Sequence, residues 1–362
     1  MIRIPANVEK FSAQNGSSKL FECFADLVAH YNKKEGYDAT VSFSEKEAKV
    51  NAMLQDEIAR LANVKNFADV APEAWTSNPT YKWATFAVIG AMVDAIIPDT
   101  IIDSVGAYSE VRTGGFGDNF SFEVEPNDLF YVSKAGRGKR HAEGQKAFNG
   151  LITVNPVEHD IAAQVNLYRV LAGKESLAAF AMKCVRSMET EMAYDVYTAF
   201  EAAMNAVPST SSYELQYSGW SKANFIALTD KITAYNNGAK PIAIGTRTAL
   251  SNVLPDNTNY RLMLESDYVK VGYLPNFFGI DLIVLPQKAN WKSPYKTMLD
   301  DTNLWVMSPA AGKPVKLCIE GSTMAITDDT YANANLTQQV TMKKMWATGV
   351  ASNATYGFIS IS

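Results

Sequence analysis

The 362-residue chain is poor in the residues that most often announce chemistry: it has three cysteines, three histidines and no long apolar run. Cys23, Cys184 and Cys318 stand singly, and CxxC does not occur. A disulfide framework or a structural zinc site needs paired or closely spaced ligands, so neither is supported, and reduced thiols packed as small hydrophobes are expected. The most apolar stretch, "ATFAVIGAMVDAII" (84–97), contains Asp94 and meets Pro98. A membrane span needs about twenty apolar residues, so this one reads as a core helix ending at Pro98. No basic segment followed by an apolar run opens the sequence, and no secretory signal is expected. Excess positive charge is also missing. Thirty-three Lys and Arg against 38 Asp and Glu give a net charge of −5, so the chain as a whole is not built to coat nucleic acid.

What is present is ordinary globular composition, 47% apolar and 20% charged, on a chain long enough for two or more packed modules. The first hundred residues read as helical. Leu20, Phe21, Phe24, Leu27, Val28 and Tyr31 share one face, and Ser44 with Glu47 has capping-box spacing ahead of a second amphipathic run. From residue 99 short alternating runs ("TIIDSVGAYSEVRT", "FSFEVE") predict strands. "LITVNPVEHDIAAQV" predicts an extended return segment whose Pro156 suits an edge or a bulge. Residues 176–205 carry neither glycine nor proline and keep a helical apolar face through Leu177, Ala181, Cys184, Met188, Met192, Ala199 and Ala203, which predicts one long strut. Beyond a serine-rich hinge, "KPIAIG" and "GIDLIVLP" predict buried strands of an α/β module, with strand-rich sequence after it.

Motifs for catalysis fail when checked literally. The third glycine of GxGxxG would fall at His141 or at Phe120, and "AGKES" has Glu175 where a P-loop needs Ser or Thr. GxSxG does not occur. His159 lies between Glu158 and Asp160, but neighbours on a strand point to opposite faces and do not converge on a metal. Asp300–Asp301 and Asp328–Asp329 read as turn residues. No catalytic residue, cofactor site or metal ligand is assigned, and the chain is expected not to be an enzyme.

One polar stretch stands out. "YVSKAGRGKRHAEGQ" (131–145) carries Lys134, Arg137, Lys139 and Arg140 between two strand-like segments. A solvated hairpin tip is the plain alternative. A nucleic-acid surface would interleave aromatics with the cations, and residues 133–147 have none besides His141. Length, polarity and a strut helix following at once suit an arm that reaches out of its own subunit.

This order of elements resembles the major capsid protein of tailed bacteriophages, the Hong Kong 97-type fold. "FSFEVEPNDLFYVSKAGRGKRHAEGQKAFNGLITV" is similar to its extended loop. The segment from "NPVEHDIAAQV" to "TAFEAAM" is similar to its return strand and spine helix, and "KPIAIGTRTALSNVL" with "VKVGYLPNFFGIDLIVLP" to its axial domain. The resemblance spans residues 99 to 362, and the helical first hundred residues depart from it. It implies an α+β chain with an N-terminal arm, whose place is taken here by the helical region 1–98, and an extended loop at 118–156. A peripheral domain would comprise 99–117, 150–214 and 309–362 with its spine at 176–205, and an axial domain 215–308. It further implies a shell protein forming hexamers and pentamers of an icosahedral head around double-stranded DNA, without sequence-specific contact. Lys134, Arg137, Lys139 and Arg140 would contact a neighbouring copy. The negative charge accords with an inner wall to which DNA does not adhere. Scaffolding, portal and decoration proteins would be further partners, the virion the location, and the host cytoplasm the place of assembly. Lys134, Lys139 and Lys146 are the candidates for covalent crosslinking to a neighbour. A nanocompartment shell of the same fold, enclosing an enzyme, and an unrecognised α/β enzyme are the rival readings.

Overall fold

A computed structural model describes residues 18–32, 36–67, 78–124, 129–132, 134, 145–146, 149–166, 169–170, 172–207, 214–254, 271–290, 292–293, 295–327 and 337–361. Helix α1 (Ser18–Tyr31) buries Leu20, Phe21, Phe24, Leu27 and Val28. Helix α2 (Phe43–Leu61) begins one position before the expected capping serine. Ser42, not Ser44, accepts the Glu45 amide, and the Glu45 carboxylate accepts the Ser42 amide at 3.1 Å. Both S-x-x-E frames exist in "SFSEKE". The earlier frame prevails because it sets Phe43 against the His30 and Tyr31 rings of α1, with centroids 5.8 and 5.9 Å away.

Helix α3 (Pro79–Val105) does not stop at Pro98. The proline forfeits one backbone bond, but Ile96, Ile97 and Ile101 around it are buried, and tertiary packing outweighs the local cost. The residues expected to begin a strand at 99 therefore continue this helix. Its first nineteen residues are long and apolar enough to cross a membrane, yet they lie largely inside the protein core.

Strands β1 (Ser109–Gly114), β2 (Ser121–Val124), β3 (Gly150–Thr153) and β4 (Val157–Asn166) come next. The strut is one unbroken helix, α4 (Leu177–Asn205), with Ser176 accepting the Ala179 amide as N-cap. At 1.5 Å per residue it is about 43 Å long. Then follow β5 (Gln216–Ser218), α5 (Lys222–Tyr235), β6 (Ile242–Gly245), α6 (Arg247–Ser251), β7 (Asn276–Phe277), β8 (Ile280–Val284), β9 (Asn303–Met307), β10 (Val315–Thr327), β11 (Thr337–Val350) and β12 (Gly357–Ser360).

Two larger sheets organise these elements. A four-stranded sheet runs β1-β10-β11-β4, with β1 parallel to β10 and the other pairs antiparallel. One of its faces packs against helices α1 to α4 in a core that includes Leu317, Ile319, Met342 and Trp346. A six-stranded sheet runs β5-β12-β9-β6-β8-β7. Alternate residues of β9 explain its unbroken apolar run: Trp305 and Met307 face the core of the long helices, while Leu304 and Val306 face α5. Strand β12 belongs here, between β5 and β9, and not with the closing strands of the four-stranded sheet. At its start Gly357 has no room for a side chain, since a Cβ would lie 2.3 Å from the Leu215 carbonyl oxygen.

Candidate assembly surface

Between β1 and β3 the chain leaves the body as a two-stranded ribbon. Strand β2 pairs antiparallel with β3 from Ser121↔Thr153 to Val124↔Gly150. A small separate core of Phe120, Phe122, Val154 and Cys318 fastens the ribbon to the outer face of the four-stranded sheet. Arg112 clamps the same point, donating to the Ser121 carbonyl at 2.5 Å with its guanidinium 4.7 Å from the Phe122 ring centre. Glu110 accepts from Lys316 at 2.7 Å and from Arg112 at 2.9 Å. Burial works against ionisation of Glu110, but the two cations outweigh it and hold the carboxyl below its usual range. The turn before β2 is tied down as well, with the Gly117 amide donating to Glu320 at 2.6 Å.

Further out the ribbon turns apolar and bare. Leu129, Phe130, Tyr131 and Val132 are 78%, 60%, 77% and 87% exposed, and Leu151 on the opposing strand is 64% exposed. The Gln145 side chain bridges the two sides, donating to the Tyr131 carbonyl and accepting the Tyr131 amide, each at 2.7 Å. A side-chain amide thus replaces a backbone pair and keeps the two limbs in register. Lys134 and Lys146 are exposed. Arg137, Lys139, Arg140 and His141 lie outside the described residues. Sequence reasoning had fixed on the cations and passed over "LFYV" just ahead of them, although four large apolar residues in an otherwise polar excursion were a visible signal.

The other residues singled out by sequence are dispersed. Glu158 pairs with Lys343 across the strands, while His159 turns to the helix side. There His159 stacks on Trp346 with centroids 3.7 Å apart, and its Nε2 lies 3.6 Å from Asp195, which also accepts from the Trp346 indole at 2.9 Å. Asp300 accepts the amide and hydroxyl of Thr302 in a turn, and Asp328–Asp329 lie outside the described residues. Cys184 and Cys318 are buried and Cys23 is half-buried, all three unpaired, and burial pushes the Cys184 thiol up to about 11.

No family model and no curated protein matches the chain. Solved structures do. The chain is similar to one described as the capsid of a native GTA particle computed with C5 symmetry, with a TM-score of 0.50 and 10% identity over 72% of this chain and 90% of that one. This chain has the Hong Kong 97-type capsid fold. Weaker likenesses are to the cyanophage Pam1 capsid (TM-score 0.47, 10% identity, 71% of this chain and 92% of that one) and to the head of Helicobacter pylori bacteriophage KHP40 (0.47, 12%, 71% and 90%).

Proposed function

We propose that the chain is the major capsid protein of a tailed phage, a non-catalytic subunit that assembles with copies of itself into hexamers and pentamers of an icosahedral head around double-stranded DNA. The observation that carries this reading is the exposed apolar run Leu129–Val132 on an arm whose described anchor is at its base. Four consecutive large apolar side chains in water are unfavourable by roughly 25 cal/mol per Å², and a neighbouring copy that covers them removes that penalty. Lys134, with Arg137, Lys139 and Arg140 after it in sequence, would then meet acids on the same neighbour. Each exposed pair contributes at most about 1 kcal/mol, so buried area and not charge holds the arm. The Hong Kong 97-type fold supports this reading, because the arm and the spine stand in the order that a shell subunit uses. Residues 118–156 are proposed as the extended loop, 215–308 together with β12 as the axial domain, and the helical N-terminal region as running to the end of α3 at Val105, with the remainder as peripheral domain.

Electron microscopy of the purified chain tests the proposal. Closed shells tens of nanometres across are expected, filled with DNA when recovered from infected cells. A monodisperse monomer at all concentrations and salt conditions overturns it. Shells that carry an enzyme and no nucleic acid would turn the reading to a nanocompartment.

A further inference from the structure

The turn between β7 and β8 is built against local preference. Phe278 and Gly279 are its two central residues, at φ 50° and 79°. A two-residue hairpin turn with both φ positive favours Asn-Gly, because a bulky side chain is strained in the left-handed region. Among the described residues of its own subunit the Phe278 ring gains little in return. It is 55% exposed, meets the Phe277 ring edge-on with centroids 4.7 Å apart, and lies under the Lys222 ammonium at 4.7 Å.

At the far edge of the same sheet there is a hole. The strand order makes β7 one edge and β5 the other. Beside β5 a cleft of about 290 Å³ opens between the end of α4 (Ala206, Val207), Leu215, Tyr235 and the segment holding Ala354 and Tyr356. Its volume is at the bottom of the ~300–1,000 Å³ range of ligand cavities, and its described lining residues include no charged side chain to orient a small molecule. An aromatic ring suits it.

We infer that Phe278 of one subunit inserts into this cleft of the next subunit. Six strands spaced about 4.8 Å apart separate knob and cleft by roughly 24 Å, so a subunit does not fill its own cleft. A knob at one edge and a hole at the other define a head-to-tail contact, and such a contact repeats until a ring closes. A cation stands at one edge and an exposed carboxylate at the other, although that carboxylate already has a lysine of its own. Lys222 accompanies the knob, and Glu214, next to Leu215 at the cleft, keeps 63% of its side chain exposed while pairing with Lys231. A buried phenylalanine covers about 150–250 Å², well short of the ~1,200 Å² of a stable interface, so the contact sets the register of the ring while the arm supplies area. This inference rests on the shell reading above.

Two variants of the full chain test it, with sedimentation and electron microscopy for assembly and a thermal melt for the subunit. Phe278→Asn suits the turn, so the subunit is expected to melt at or above the wild-type temperature and yet to lose rings and shells at concentrations where wild type assembles. Ala206→Trp, which fills the mouth of the cleft, is expected to fold and to fail in the same way, while Phe278→Tyr keeps assembly. A folded Phe278→Asn or Ala206→Trp chain that assembles like wild type overturns the contact and leaves the shell reading standing. A wild-type chain that forms neither rings nor shells overturns both.

Discussion

Lys344 places its ammonium 2.7 Å from Asp94 Oδ1, with 3% and 4% of the two side chains exposed. The same carboxylate accepts the amide and the hydroxyl of Thr323, and Lys344 also donates to the Gly321 carbonyl at 2.8 Å. One buried charge pair thus ties α3 to β11 and to the irregular register in β10 between Glu320 and Met324. Removing one partner of such a pair leaves the other charged and unpaired at a cost of about 3–5 kcal/mol. Asp94→Ala is expected to lower subunit stability by that amount in urea titrations under dissociating conditions. Asp94→Leu combined with Lys344→Met should lose less than the two single changes together, because the orphaned charge disappears with its partner. Full additivity would show that the two groups are not coupled.

Met188 sits fully buried midway along α4. Met188→Pro should destabilise the subunit by about 3 kcal/mol or more, since it removes a backbone bond and clashes with the preceding turn. Circular dichroism and a denaturation midpoint check this, and a midpoint equal to wild type would contradict the role of α4 as a continuous strut.

The clamp at the base of the arm carries a pH dependence. The Glu110 carboxyl in the folded chain titrates below its ordinary range because Lys316 and Arg112 outweigh its burial. Its contribution to stability is therefore fully present above the unfolded-state value of about 4.3. It is lost as pH falls from there through the lower folded-state value, where the unfolded chain binds more protons. Denaturation midpoints between pH 7 and pH 3 should fall more steeply for wild type than for Glu110→Gln. Equal slopes would show that the clamp is not electrostatic.

Replacing residues 134–145 by a short Asn-Gly turn removes the cations and the Gln145 bridge to Tyr131 while sparing the core of the subunit. The expected product is a soluble subunit that unfolds cooperatively but builds no normal shells in a sedimentation assay. Neutralising the four cations alone should leave assembly weaker and less sensitive to salt. Normal shells from the shortened chain would exclude the arm from assembly.

Local signals carried much of the fold. The strut was legible because 29 residues keep one apolar face with no glycine or proline and with a serine at the cap. The strands Ile242–Gly245 and Ile280–Val284 were legible because apolar runs without alternation need cover on two faces. What escaped depended on distance. The continuation of α3 past Pro98 is decided by the isoleucines packed around it, and the place of β12 by pairing with β5 and β9. Asp94 was visible as a lone charge in an apolar helix, but its partners lie 229 and 250 positions away. The exposed run Leu129–Val132 was readable as composition. Only its exposure among the described residues turned it into a surface.

The placement of β12 between β5 and β9, and of β10 beside β1, has a consequence for how the subunit comes into being. Each larger sheet joins early segments to segments beyond residue 314, so neither is finished by local hairpins alone. Such long loops must close before their contacts repay the entropy, which makes folding slow. A growing chain that has passed α4 still exposes the apolar faces of α3 and α4 that β10 and β11 will cover, and it invites chaperones at that stage. If the proposed shell forms, its knob, cleft and arm become correctly spaced only once the late strands are in, and topology alone would keep half-folded subunits out of a growing particle.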